Sequence, residues 1–221
     1  MSYNAKVFNL MIASPGDVAS ERSIIRNTIY EWNAVHSKKR SIVLLPISWE
    51  SHSSPEMGDS PQEIINNQIL ERCDFLVGVF WTRIGTPTND YSSGTVEEIE
   101  KHIESGKPAM LYFSSQPVIM DTIDLKQIAK LKKFKRSCQK RGLYESYDSH
   151  ADFKEKFNRH LQLKLNDHPL FKSIGLNSTN EIANSSIIDQ NIKSGKKSNN
   201  IQTAGDVTIH IGKKNEEQNA N

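Results

Sequence analysis

The chain has 221 residues and a formal net charge of +2, from 28 Lys and Arg against 26 Asp and Glu; this length suits one to two domains, and the near-balance argues against a dedicated nucleic-acid binder. Its 36% of hydrophobic residues can build a core, but no run approaches the roughly 18 apolar residues of a membrane span, and Met1 to Phe8 lacks the basic flank and apolar stretch of a signal peptide. Cys73 and Cys138 make no disulfide framework and suit a reducing cytoplasm, and the seven histidines show no metal-ligand spacing.

Lys6–Ala13 (KVFNLMIA) is a first strand, bounded by Ser14-Pro15-Gly16. Val18, Ile25, Ile29 and Trp32 recur at helical spacing, which predicts a helix from Asp17 to about Ser37. Ile42–Ser48 is a second strand, and Pro46 inside it suggests an edge or irregular position. Ser60-Pro61-Gln62-Glu63 is a helix start with Ser as cap, Pro in the first position and Glu in the third, and the helix is expected to reach about Arg72. Asp74–Trp81 (DFLVGVFW) is a continuous apolar run, as in a strand covered on both faces. Thr95–Ser105 is a helix stopped by Gly106, Pro108–Phe113 a fourth strand and Leu125–Arg141 a basic amphipathic helix. Leu143–Tyr147 is a weak fifth strand, and Ala151–Leu165 a closing helix. Strands separated by helices imply right-handed crossovers and a parallel sheet. Five in this rhythm predict a flavodoxin-like, doubly wound fold over residues 1–168.

In such sheets ligands bind outside the carboxyl ends of the strands. There the order of elements gathers Ser14, Asp17 and Arg22 after the first strand, Trp81 and Arg83 after the third, and Thr95 and Glu98 at the start of the following helix. Backbone N–H groups and a guanidinium hold phosphate, an indole stacks a base and a carboxylate faces the sugar. The set suits a ribosyl-phosphate ligand, that is, a nucleotide.

SPGDVASER, RCDFLVGVFWTRIG, SGTVEEIEKHIESGKPAMLYF and LKQIAKLKKFKRSCQKRGL, in this order over roughly residues 5–165, resemble a TIR-like family of unassigned function, often found at the N-terminus of signalling or defence proteins. Gly94-Thr95-Val96-Glu97-Glu98 with Gly106-Lys107-Pro108 also resembles nucleoside deoxyribosyltransferases. In those enzymes, and in NAD-cleaving TIR domains, a helix glutamate attacks or stabilises the ribosyl carbon, and the matching residue is Glu98. Cleaving an N-glycosidic bond develops oxocarbenium character, which a carboxylate stabilises or captures. Nicotinamide leaves NAD as a neutral base, so no strong general acid is needed. The resemblance thus implies an effector that hydrolyses NAD or a related nucleotide, with NAD as substrate rather than cofactor and no metal. A non-enzymatic TIR-like interaction module and a nucleoside or nucleotide ribosyltransferase are the alternatives.

Each residue also has a plainer role open to it. Thr95-x-x-Glu98 reads equally as a capping box. Asp17 can cap the first helix, Arg22 can be solvated or pair with Glu21 or Asp17, Trp81 can pack in the core, and Asp74 can cap the strand entry. The basic run from Lys126 to Arg141 reads as a solvated face rather than a nucleic-acid surface.

After Pro169 the chain turns rich in Asn and Ser, and residues 169–221 read as a disordered tail. Within it, at about 187–212, Val207, Ile209 and Ile211 alternate as in a strand with one buried face, and NNIQTAGDVTI resembles short amyloid-type signalling motifs. Self-association through this motif is expected to activate the protein. The chain shows no sensor domain of its own, so a sensor in trans is expected as partner.

Overall fold

The computed structural model describes residues 2–119, 121 and 123–172. The five strands are β1 (Lys6–Ala13), β2 (Ile42–Ile47), β3 (Phe75–Phe80), β4 (Ala109–Ser114) and β5 (Glu145–Tyr147). They form one sheet in the order β2-β1-β3-β4-β5, every neighbouring pair parallel. This is the flavodoxin-like order, with the chain reversing its winding between β1 and β3.

Alternation along the strands divides the core. Phe8, Leu10 and Ile12 of β1, with Phe75, Val77 and Val79 of β3, pack under α1 (Ala19–Arg40) and α6 (His150–Asp167). Met11 and Ala13, with Leu76 and Phe80, face α3 (Pro61–Gln68), α4 (Gly94–Glu104) and α5 (Leu125–Arg141). All six residues of β3 are buried, which is why its sequence is continuously apolar. β2 is an edge strand, so Pro46 removes an N–H from a ladder paired on one side only.

The boundaries differ from expectation where distant contacts decide them. α1 starts at Ala19 with Val18 in the cap position, and runs to Arg40. α2 (Trp49–His52) is a short helix with no periodic signal. Ser60 and Glu63 form the expected capping box, but α3 ends at Gln68 and the chain continues as a 3-10 turn, Leu70–Arg72, that buries Ile69, Leu70 and Cys73. The packed core also extends beyond residue 168: Phe171 is 3% exposed, its ring 4.9 Å from Phe8 and 6.3 Å from Phe75. The rest of the predicted tail, with its motif at about 187–212, lies outside the described residues. Among the described residues no helix is long and apolar enough to cross a membrane.

Candidate functional site

The loop after β1 is held from below by Arg22. Its Nη1 donates to the Pro15 carbonyl at 2.8 Å and to Ser14 Oγ at 3.2 Å, and both side chains are buried. Asp17 does not cap α1, whose cap position makes no side-chain hydrogen bond. Instead Asp17 Oδ2 accepts from Thr82 N and Thr82 Oγ1, each at 2.8 Å, and from Arg83 N at 3.0 Å. A carboxylate accepting two backbone N–H groups is a strong, charge-assisted clamp, and it joins the β1 loop to the β3 loop across the switch point. Asp17 Oδ1 is buried with no hydrogen-bond partner among the described residues.

Trp81 is half-buried against the core beneath α1 and α6, and its Nε1 donates to the Gln116 carbonyl at 3.3 Å. Packing and rim position are thus combined in one indole. Arg83 is exposed and in no ion pair among the described residues. The loop beyond it is cradled from α5: Gln127 Oε1 accepts from Ile84 N at 2.9 Å and Gly85 N at 3.2 Å, while its Nε2 donates to the Gly85 carbonyl. Gly85 has φ +109°, a conformation that favours glycine, and lies against Ser93 and Thr95.

At the start of α4 the capping-box reading is corrected. The cap is Ser93, whose Oγ accepts from Val96 N at 3.2 Å; Thr95 is the second helical residue, and Glu98 makes no capping bond. Glu98 is only 4% exposed. Its Oε1 accepts one long bond, 3.4 Å, from Gln62 Nε2 of α3, which also donates to Asn66 Oδ1 at 3.2 Å. Gly94 makes room for this amide: a Cβ there would fall 2.1 Å from Gln62 Oε1.

The adjacent Glu97 is built differently. It accepts from Asn66 Nδ2 at 2.9 Å and from Lys101 Nζ at 2.7 Å. Burial opposes its ionisation, but the bonds from Lys101, Thr88 and Asn66 hold its carboxyl below the ordinary range. For Glu98 burial dominates: it pushes the carboxyl up to about 7 against the weak Gln62 bond, and the Glu97 charge adds to the rise. Two neighbouring carboxylates whose environments drive them apart are a recognised pattern of functional sites.

Ser14, Asp17, Arg22, Trp81 and Arg83 therefore meet at the carboxyl ends of β1 and β3. Glu98 lies within α4 beneath Gln62, and Asp74 accepts from Asn9 N at 2.8 Å at the entry of β3, away from the rim. Glu98 lines neither of two cavities. One, of about 660 Å3, lies between β4, β5 and α6; the other, of about 290 Å3, lies between the ends of β3 and β4 and α5, with Trp81 and Thr82 in its wall.

Sequence reasoning gave no site role to Gln62 and Asn66 and missed the contact that Glu21 makes. Gln62 and Asn66 sit four residues apart on α3, a spacing that puts both on one helix face, and this was a usable signal. Glu21, 3% exposed, accepts from Tyr147 Oη at 3.0 Å and lies 3.2 Å from His150 Nε2. Burial and this carboxylate push the Tyr147 hydroxyl well above its ordinary range. No local pattern announces that contact, which joins α1 to β5. Among the described residues no group of three or more His, Cys, Asp and Glu side chains is placed to hold a metal ion.

No curated protein matches this chain. Among solved structures, oxidised flavodoxin 1 from Bacillus cereus is 16% identical, with a TM-score of 0.33 over 71% of this chain and 94% of the flavodoxin. RosB with the bound intermediate OHC-RP (8-demethyl-8-formylriboflavin-5'-phosphate) is 10% identical, with a TM-score of 0.35 over 92% of this chain and 99% of RosB. Residues 11–162 match the family described as Domain of unknown function (DUF4062), and the chain belongs to that family.

Proposed function

We propose that this DUF4062 member is a TIR-like effector that cleaves the nicotinamide–ribose bond of NAD or a related nucleotide, with Glu98 as the carboxylate at the ribosyl carbon. The observation that carries the reading is the environment of Glu98. It does not cap α4, it pairs with no cation among the described residues, it is 4% exposed, and its ordinary ionisation is shifted up to about 7. A group held this way is poised to change its charge state near neutral pH. Its neighbour Glu97, tied to Asn66 and Lys101, does the structural work.

In the proposed reaction the C–N bond to nicotinamide breaks, its electron pair leaves with the neutral base, and ionised Glu98 stabilises or captures the ribosyl cation before water completes the hydrolysis. Among the described residues Gln62 is the hydrogen-bond partner of the Glu98 carboxyl, so its amide would turn aside to admit the sugar. Trp81 and Arg83 at the rim would meet the base and phosphates. Activation by self-association, by way of the segment at about 187–212 and a sensor in trans, completes the proposal. The burial of Glu98, away from both cavities, favours a second reading: a non-enzymatic interaction module of the same fold.

The test is incubation of the purified full chain with NAD over a wide range of protein concentration, with nicotinamide followed by chromatography. Release by the wild type and its loss in Glu98→Gln support the enzyme. Absence of release at every concentration favours the interaction module.

A further inference from the structure

We infer that the cavity between the ends of β3 and β4 and helix α5 binds a phosphate monoester carrying a flat ring, the chemical class of a nucleoside monophosphate. The inference shares Trp81 with the proposed reading but does not depend on Glu98 or on glycosidic cleavage. At about 290 Å3 the cavity lies at the lower end of ligand pockets, roughly 300–1,000 Å3, with room for one nucleotide rather than two. Trp81 supplies an aromatic wall, and Val118 and Ile128 close the apolar sides.

The polar side is cationic. Lys132 and Lys135, one turn apart on α5, both line the cavity, and neither pairs with a carboxylate among the described residues. Lys132 is exposed. Lys135 is half-buried: its Nζ donates to Ser146 Oγ at 3.2 Å and lies 5.2 Å from the Phe113 ring and 5.0 Å from the Tyr144 ring. An ammonium packed among rings has lost hydration, a cost that contact with an anion offsets, and the attraction between charges at such a site is screened less than at the surface. Burial accordingly lowers the Lys135 pKa. On the opposite wall Gln116 has its backbone fixed by Trp81 and Ser114, while its buried Nε2 has no acceptor among the described residues. A buried donor without a partner is uncommon, and a ligand hydroxyl or phosphate oxygen would satisfy it. The basic face of α5 is thereby given a local purpose at two of its lysines.

Titration calorimetry of the full chain at low salt, with AMP, adenosine and inorganic phosphate as probes, tests this. AMP should bind at least tenfold more tightly than adenosine. Lys132→Ala, at an exposed position that leaves the fold intact, should weaken AMP about tenfold with adenosine unchanged, as expected when one charge-assisted contact is lost. Trp81→Leu should weaken AMP and adenosine together. Equal affinity for AMP and adenosine, no binding of AMP, unaltered AMP binding in Lys132→Ala, or phosphate binding as tightly as AMP would each overturn the inference. AMP binding of this kind without nicotinamide release from NAD leaves it standing and removes the enzymatic reading of Glu98.

Discussion

Replacing Glu98 by Gln should stabilise the folded chain at alkaline pH and leave it almost unchanged in acid. The carboxyl ionises near 4.5 in the unfolded chain and near 7 in the fold, because burial there opposes its charge. Between those values the folded state holds a proton that the unfolded state has lost, so stability falls as pH rises. Below 4.5 both states are protonated and the cost is absent. Above 7 it is fully present, and at about 1.4 kcal/mol per pH unit it amounts to about 3 kcal/mol. Gln is neutral throughout, nearly the same shape, and still able to bond Gln62. Urea unfolding followed by circular dichroism at pH 4 and pH 8 should therefore show the variant within about 1 kcal/mol of wild type in acid and some 2–3 kcal/mol more stable at pH 8. A variant no more stable than wild type at pH 8 would refute the reasoning, since the ionised carboxylate must then find water or a cation. On the proposed reading, gain of stability with loss of turnover is the expected trade in this variant.

Glu97→Ala on the same helix should act oppositely. It strands the buried Asn66 amide and breaks the Lys101 pair, costing about 1–3 kcal/mol in a thermal melt at pH 7. The charge-linked stability that Glu97 contributes is present above its ordinary 4.5 and is lost as pH falls through its lowered folded value, so the deficit should shrink in strong acid to the part due to the stranded Asn66 amide. Phe171→Ala should cost about 3 kcal/mol, because the ring is buried against Phe8 and Phe75. By the same packing, a chain ending at Asp167 should melt well below one ending at Lys172; equal melting of the two would show that Phe171 adds nothing to the core.

What was readable in the sequence is what depends on neighbours in the chain. β3 announced itself because a central parallel strand is apolar on both faces, and α3 because Ser60, Pro61 and Glu63 satisfy its first turn locally. Phe171 was not readable as core, since a single aromatic residue in a polar stretch carries no period; its partners lie on β1 and β3. Asp17 failed for the same reason. An aspartate two residues before a helix looks like a cap, but its oxygen is claimed by Thr82 and Arg83, 65 and 66 residues away. The rim position of Ser14, Asp17, Trp81 and Arg83 followed from topology alone, whereas the contacts that fix them did not.

Glu98 shows how a small local choice alters a residue's role. Ser92, Ser93 and Thr95 all offer a hydroxyl that could start α4, and with Thr95 as cap the glutamate would fold back onto the first turn. The β3 loop decides otherwise. Thr86 accepts from Gly94 N at 3.0 Å, and Gly85 packs against Ser93, which fixes the chain so that Ser93 takes the cap. Glu98 then falls in the second turn, past the free N-terminal amides and among apolar neighbours Val96 and Ile99. The capping hydrogen bond that would have lowered its pKa is gone, and Gln62, at 3.4 Å, replaces it only weakly. At neutral pH such a carboxylate costs stability in the fold that carries it, which is what the proposed role at the ribosyl carbon would account for.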